Sequence, residues 1–215
     1  MQKRKFKDTM YSGLAKIVKA MANQHRLEIL DLLAQGEKSV EEIAAETSLN
    51  FANASQHLQT LKQNLIVQSR RDGHFVYYSL ADDNIYRVWS SIREFGVEQV
   101  AELEKVIREK RQKSAGFQAY SLDEAMEKVS TKEAVLIDVR PASEYRHGHI
   151  EGSMSFPIQT LEENFDHLKQ FKEVIVYCRG PFCMMADDAV NFLRAKGLRA
   201  MSMEKGYMDW KFKKN

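Results

Sequence analysis

The chain has 215 residues, of which 44% are hydrophobic and 29% are charged, and its formal net charge is +2. This length suits two domains of about 100 residues each, and both halves have enough apolar residues to bury a core. A charge so close to zero does not by itself indicate a nucleic-acid partner. No apolar run approaches the ~18 residues that cross a membrane, and none follows the basic N-terminus, so we expect a cytoplasmic protein without a signal peptide or a membrane partner.

The first half is predicted to contain several short helices. The apolar residues of segment 14–21 follow helical spacing, and those of segment 27–33 predict a second helix that ends near Gly36. Ser39 and Glu42 form a capping box that begins a helix over 40–46. After a polar turn, a further helix is predicted from 51 to 64. Two short helices joined by a tight turn indicate a helix-turn-helix.

The second helix of this motif contains no acidic residue between positions 50 and 64. A helix in the major groove needs neutral hydrogen-bonding groups and cations, and carboxylates beside phosphate would oppose binding. A solvated helix face usually carries mixed charge, which makes simple exposure the weaker explanation. The predicted DNA contacts from this helix are Asn53, Ser55, Gln56, His57, Gln59 and Lys62.

Segment 65–80 is predicted to form a β-hairpin, because strand-forming residues flank an Asp72-Gly73 pair, a strong hairpin signal. We expect residues 70–74 to form the bend. A basic hairpin tip is common in many proteins, but its position directly after a helix-turn-helix indicates a wing that contacts phosphate or the minor groove. The predicted wing contacts are Arg70, Arg71 and His74.

This order of segments resembles the ArsR-type winged-helix repressors over roughly residues 10–95, through the run His25–Leu30, the capped helix and Ser55–Leu58. The resemblance implies binding to double-stranded operator DNA as a homodimer. Its interface would join the first helix to a last helix near Trp89, although core packing also explains that residue. The last helix carries Ile85, Val88, Trp89 and Ile92.

Many members of that family sense metals through cysteines or through pairs of histidines and carboxylates. The first 177 residues here contain no cysteine, and His25, His57 and His74 are isolated along the chain. We therefore predict no metal site in this half, since softer metals need soft ligands.

Residues 96–113 have one thin apolar stripe on an otherwise charged sequence, which predicts a long exposed helix. Ser114-Ala115-Gly116 ends this connector. The predicted organisation is a DNA-binding and dimerisation domain at 1–95, a helical connector at 96–116 and a second domain at 117–215.

The second domain alternates strands and helices. Apolar runs at 134–139 and 174–177, followed by a helix over 184–196, predict an α/β domain with a parallel sheet. The predicted fold class is therefore a mainly α winged helix-turn-helix with a β-hairpin wing, followed by this α/β domain.

Cys178 and Cys183, the two cysteines of the chain, lie between the second of these strands and the helix. A strand, a tight loop and a helix N-terminus direct backbone N–H groups toward an anion. We expect the helix dipole and Arg179 to lower the pKa of Cys178 and to make it the nucleophile. The remaining loop residues of the predicted site are Arg179, Gly180, Pro181, Phe182, Cys183 and Met184.

The loop, with segments 138–140, 144–145, 148–153 and 206–210, resembles a single-domain rhodanese over about residues 117–212. In rhodaneses the matching cysteine takes sulfane sulfur from a donor and passes it to an acceptor. The resemblance therefore implies a sulfur donor or acceptor as a partner, a persulfide on Cys178 and no cofactor. The neighbouring Asp138, Arg140 and His149 are expected to be structural.

The loop departs from the rhodanese pattern in two ways. Pro181 lacks an N–H, and Arg179 is the only cation, which disfavours thiosulfate as the donor. Phosphatases of similar fold need an arginine where this chain has Met184, so phosphate-ester hydrolysis is not expected.

Two interpretations of Cys183 stay open. It is either a small residue in a place where related domains carry Ser or Thr, or a resolving thiol that closes a disulfide or polysulfide with Cys178.

For the whole chain, the sequence favours a repressor that senses or relays reactive sulfur. The alternative is an active sulfurtransferase whose DNA-binding domain controls its own operon. A third possibility is a rhodanese fold that serves only as an interaction module, with an inert Cys178.

Overall fold

The computed structural model describes residues 2–112 and 119–214. The chain divides between Glu94 and Phe95 into two compact units. Segment Ser114-Ala115-Gly116, which was predicted to end the connector, lies outside the described residues. The winged helix-turn-helix followed by an α/β domain with a parallel sheet is confirmed as the fold class.

The first unit contains five helices and a small antiparallel sheet, and its last helix continues past the division between the units. Strand β1 pairs with β3, which in turn pairs with β2. In chain order the elements are α1 Gln2–Met21, α2 Gln24–Leu33, β1 Lys38–Ser39, α3 Val40–Thr47, α4 Phe51–Gln63, β2 Val67–Asp72, β3 Phe75–Leu80 and α5 Asn84–Gln99.

Side-chain caps fix where the helices of this unit begin. The predicted capping box is present at α3, where the Ser39 hydroxyl accepts from the Glu42 N–H and the Glu42 carboxylate accepts from the Ser39 N–H. Asn50 caps α4 by accepting from the Asn53 N–H at 2.8 Å. Each cap satisfies amides that the helix itself leaves unpaired.

The core of the first unit lies between α2, α3, α4 and the sheet. The predicted inner face of α4 is confirmed, because Ala54, Leu58 and Leu61 are fully buried. Trp89 of α5 also packs inside the unit, where its indole N–H donates to Asp31 at 2.9 Å.

The hairpin turn is tighter than predicted. Asp72 pairs directly with Phe75, so the turn consists of Gly73 and His74 alone. Arg70 and Arg71 therefore lie within strand β2 and not in the bend. The prediction that residues 70–74 form the bend is wrong, because cross-strand pairing continues up to Asp72.

The predicted connector helix is interrupted. Helix α5 ends at Gln99, and α6 runs over Ala101–Gln112 after the single residue Val100. The Val100 N–H donates to Gly96, while its carbonyl accepts from Leu103, so this residue belongs to the hydrogen bonding of both helices.

The second unit is built on a five-stranded parallel sheet in the order β4-β8-β7-β5-β6. Strand β7 lies at the centre, and all four of its residues are buried, as expected of a parallel strand covered on both faces. After α6, its elements are β4 Ala119–Tyr120, α7 Leu122–Ser130, β5 Val135–Asp138, α8 Ala142–His147, β6 Met154–Ser155, a 3-10 turn Ile158–Thr160, α9 Phe165–Leu168, β7 Val174–Tyr177, α10 Met185–Ala195, β8 Ala200–Met203 and α11 Tyr207–Lys214.

Within the described ranges, no helix combines the length and the apolar character that crossing a bilayer requires.

Candidate functional site

The residues predicted to contact DNA from α4 fall into two groups. Asn53 and Gln56 are exposed, whereas Ser55 and His57 are half-buried. Two further side chains are exposed but are engaged within the unit. Gln59 donates to the Tyr78 hydroxyl at 2.9 Å, and Lys62 donates to the Ser69 hydroxyl at 2.7 Å.

The three predicted wing residues are all exposed, but the two arginines differ. The Arg70 guanidinium donates to both carboxylate oxygens of Glu37 at 2.7–2.9 Å and to Asp72 at 3.0 Å. These two carboxylates raise the pKa of Arg70 and neutralise its charge. The Arg71 side chain donates to the Gly73 carbonyl at 3.3 Å, and this contact involves no carboxylate.

The histidines are not all isolated in space. The rings of His25 and His57 lie 5.6 Å apart between centroids, on helices α2 and α4. Burial, helped by Arg26 and His25, lowers the pKa of His57, so its ring is neutral at physiological pH. These two histidines are isolated along the chain but are brought together in space by the packing of α2 on α4.

In the part of the chain that the structure describes, no three His, Cys, Asp or Glu side chains gather where they could hold a metal ion.

The two cysteines lie side by side in the second unit. Cys178 directly follows the buried strand β7, and Cys183 is brought back toward it by a turn in which the Cys183 N–H donates to the Gly180 carbonyl at 3.0 Å. The Cys178 thiol lies 3.4 Å from the Cys183 carbonyl oxygen. Both are free thiols.

Backbone amides surround this thiol pair. The N–H groups of Gly180 and Ala186 favour the thiolate of Cys178 and act to lower its pKa, and those of Arg179 and Met185 act in the same way on Cys183. Met185 and Ala186 open α10, so the helix N-terminus directs its first amides at sulfur. Amides at a helix N-terminus stabilise negative charge, such as that of a thiolate.

The two thiols titrate as one system. The hydrogen bond with Cys178, together with the amides and Arg179, lowers the pKa of Cys183 to about 7. That same hydrogen bond, with burial, raises the pKa of Cys178 well above its ordinary value. The pair therefore loses one of its two protons near neutral pH, and the two sulfurs share the proton that remains. The expectation of a lowered pKa for Cys178 is wrong, because its neighbour is a second thiol and Cys178 is only 4% exposed.

The guanidinium of Arg179 forms an ion pair with Glu144. Its Nε donates to the carboxylate of Glu144 at 3.0 Å. Glu144 is buried and lies 35 residues earlier in the chain. Sequence reasoning placed Glu144 in a matching segment without assigning it a role. The loop's one cation is therefore committed to an internal ion pair.

A buried ion pair lies at the end of β5, where Asp138 is the strand partner of Tyr177, the residue before Cys178. Asp138 and Arg140 are both fully buried, and the Arg140 guanidinium also donates to the Gly148 carbonyl at 2.8 Å. The Tyr207 ring lies 5.0 Å from this guanidinium. These contacts agree with the structural role that was expected of Asp138 and Arg140.

His149 has a similarly local setting. Its ring stacks on Tyr145 at 3.9 Å, and Nδ1 lies 3.0 Å from the Tyr145 carbonyl. The side chain is exposed and its partners are on the same turn, as expected of a structural residue.

Gly206 allows a close approach between its own backbone and that of the cysteine loop. A Cβ atom at this position would lie 2.3 Å from the Arg179 carbonyl oxygen and 2.7 Å from that of Cys178. Any side chain here would displace the backbone of Cys178 and Arg179. Gly206 belongs to segment 206–210, which resembles rhodaneses. Its contact with Arg179 and Cys178 could not be predicted, because residues this far apart in sequence leave no local pattern.

Comparisons with known proteins agree with both halves of this description. The model of the bacterial regulatory protein, arsR family, matches residues 23–69. The model of the rhodanese-like domain matches residues 121–213.

One relative spans nearly the whole chain. The HTH-type transcriptional regulator Rv0324 of Mycobacterium tuberculosis is 35% identical over 205 residues, which are 95% of this chain and 90% of that protein. The nodulation protein NolR of Rhizobium meliloti is 36% identical over 78 residues, which are 36% of this chain and 64% of that protein.

A solved structure matches the first unit. The homodimeric winged helix-turn-helix DNA-binding domain Mb0332 (fragment 1-100) of Mycobacterium bovis is 40% identical and covers 44% of this chain and 87% of its own, with a TM-score of 0.42.

A winged helix-turn-helix joined to a thiol-bearing α/β domain defines a DNA-binding regulator with a second, chemically distinct domain. The chain belongs to the ArsR family of helix-turn-helix transcriptional regulators and carries a C-terminal rhodanese-like domain.

Proposed function

We propose that this regulator is a repressor whose affinity for operator DNA changes when a sulfane-sulfur donor modifies Cys178. In this step the shared proton of the pair lies on Cys183, and the Cys178 thiolate displaces a thiol or a shortened polysulfide from the donor and becomes a persulfide. The observation that carries the proposal is the thiol pair at the N-terminus of α10, where backbone amides are directed at both sulfur atoms.

DNA binding is assigned to α4 and the wing. The exposed Asn53 and Gln56 offer neutral donors and acceptors for base edges, and Arg71 offers a cation for phosphate. Arg70 is a weaker candidate because Glu37 and Asp72 hold its guanidinium. The complete set proposed to contact DNA remains Asn53, Ser55, Gln56, His57, Gln59, Lys62, Arg70, Arg71 and His74.

A homodimer is proposed from the apolar residues that the first unit exposes. Helix α1 exposes a face at helical spacing, and α5 exposes Val88 and Ile92 although Trp89 between them is buried. Contiguous apolar surface of this kind marks an interface, and a second copy would cover it. The exposed apolar residues of α1 are Phe6, Met10, Tyr11, Leu14, Ile17 and Val18.

The connector is proposed to carry the change. Within the second unit, α6 and the cysteine loop line one groove of about 440 Å³. Because α6 follows α5 after one residue, a displacement of the loop against α6 has a short covalent path to the DNA-binding domain. We assign this role to residues 96–116, between a domain at 1–95 and one at 117–215. The groove is lined by Leu103, Val106, Ile107, Lys110, Pro181, Phe182 and Met184.

The test is operator binding with and without inorganic polysulfide, using full-length protein and a DNA fragment that the protein selects from random sequence. We expect the dissociation constant of the wild type to change by about tenfold, in the range of typical allosteric coupling. Cys178→Ser should bind the same DNA and should not respond. Unchanged affinity of the wild type after confirmed sulfur uptake would show that the two domains are uncoupled.

A working sulfurtransferase is the second candidate. Its support is the amide cradle, which stabilises a persulfide whether or not DNA is bound. Arg179 is held by Glu144 and Pro181 lacks an N–H, so we expect turnover with polysulfide to exceed turnover with thiosulfate. Sustained transfer of sulfur to an acceptor thiol, with operator affinity unchanged, would favour this candidate over the sensor.

A further inference from the structure

We propose that Cys183 resolves the persulfide of Cys178 into an internal disulfide. This step rests on the proposed function, because it needs a persulfide on Cys178. It assigns a chemical role to the second cysteine and a defined end product to the sensing reaction.

The geometry places Cys183 for this attack. The turn closed by the Cys183 N–H and the Gly180 carbonyl folds the loop back on itself, so that the Cys178 sulfur lies 3.4 Å from the carbonyl oxygen of Cys183. A persulfide on Cys178 would therefore form next to the residue that carries the second thiol. Holding two reactants in contact makes the reaction effectively unimolecular.

Cys183 also has the setting of an attacking thiol. It is half-buried, whereas Cys178 is almost fully buried, and it receives hydrogen bonds from the amides of Arg179 and Met185. These donors stabilise the thiolate, which is the nucleophilic form. A residue that only filled space in the loop would require neither the amides nor the contact with Cys178.

The reaction balances within the chain. The Cys183 thiolate attacks the inner sulfur of the Cys178 persulfide, the bond between the two cysteine sulfurs forms, and the outer sulfur leaves as hydrosulfide with its proton. The sulfane atom is reduced to sulfide, and the two cysteine thiols are oxidised to a disulfide. No further oxidant is required.

This product would bear directly on the loop. The disulfide closes a ring over residues 178–183, which includes Pro181 and Phe182, two residues that line the groove with α6. A persulfide adds one atom to a buried side chain, whereas a closed ring fixes the loop backbone. The inference therefore makes the disulfide the signal, and a cellular dithiol reductant would reset it.

The experiment is intact-mass analysis under non-reducing conditions after treatment with inorganic polysulfide, run on the wild type, Cys183→Ser and Cys183→Ala. We expect Cys183→Ser and Cys183→Ala to gain one sulfur atom on Cys178. The wild type should instead lose two hydrogen atoms and release one sulfide per modified chain. Using two substitutions, each checked by thermal unfolding, separates the loss of the thiol from damage to the fold.

The outcomes separate this inference from the proposed function. If the wild type retains the added sulfur, on one cysteine or bridging both, the resolving step is overturned and the persulfide remains. If neither the wild type nor the Cys183 variants take up sulfur, both the proposed function and this step are overturned.

Discussion

Helices α4 and α10 each belong to a predicted functional site, but their first turns differ. In α4 the Asn50 side chain accepts from the Asn53 amide, so a neighbouring side chain provides the hydrogen-bond partner of an amide in the first turn. In α10 the amides of Met185 and Ala186 are directed at the two thiols. The same backbone feature is structural in one unit and available for chemistry in the other.

Ion pairs show a second contrast. The Arg70 network on the wing is exposed, and its arginine side chain is 54% accessible, whereas both partners of the Asp138–Arg140 pair are at 0%. Charge on the wing is thus exposed to solvent, while the charge of the Asp138–Arg140 pair is held in one buried arrangement. The first unit presents this ion pair outward, and the second buries its pair next to the strand that leads to Cys178.

The largest expected effect is on the buried ion pair. Asp138→Ala leaves the Arg140 guanidinium buried without its carboxylate, which should cost about 3–5 kcal/mol of the stability of the second unit. Calorimetry of the full chain would report this as a lowered midpoint for that unit. Arg70→Ala, which removes an exposed pair, is the control and should leave the midpoints unchanged. Equal shifts in both variants would remove the contrast between the two pairs.

The cap of α4 should have a smaller effect. Asn50→Ala removes the acceptor for the Asn53 amide and should cost about 1 kcal/mol in the unfolding of the first unit. Gln63→Ala, in the exposed last turn of the same helix, is a matched control with little expected change. Chemical denaturation followed by circular dichroism measures both. If the unfolding curves of the wild type and Asn50→Ala coincide, the cap does not stabilise the first unit.

The pH dependence of the thiol pair tests the start of α10. Because a thiolate is the reactive form, alkylation should be fast above the Cys183 pKa of about 7 and should slow as the pH falls below it. Met184→Asp places a carboxylate beside the pair and should raise the pH at which alkylation is half-maximal, which reports the pKa of the pair. Below that pKa, each pKa unit of increase should lower the thiolate fraction about tenfold. Met184→Asn is the neutral control. A midpoint that does not move in Met184→Asp would argue against electrostatic control by this turn.

The smallest effect is expected on the wing. Arg71→Ala should weaken operator binding and reduce the slope of log affinity against log salt by about one, the value for one lost phosphate contact. Arg70→Ala should change the slope less, because Glu37 and Asp72 already neutralise that arginine. Fluorescence polarisation at several salt concentrations measures both slopes. Identical changes for both arginines would mean that DNA releases Arg70 from Glu37.

Much of the fold could be predicted because its signals are local. The Ser39 capping box and the apolar positions of α4 occur within single turns of helix, and strand Val174–Tyr177 is a continuous apolar run. The hairpin was predicted from Asp72-Gly73, but its exact turn was not, because pairing between strands decides where the bend begins. The assignment of individual residues to DNA remains a prediction.

By itself the sequence determined the order of the two domains, the parallel sheet and the position of Cys178 at the end of a buried strand, since periodicity and turn chemistry act over a few residues. Only the tertiary structure decided which groups meet at the sites. Arg179 binds Glu144 across 35 residues, and Arg70 binds Glu37 across 33. The amides of α10 converge on two thiols that share a proton. Charge and proton affinity depend on neighbours in space, and the fold alone brings these neighbours together.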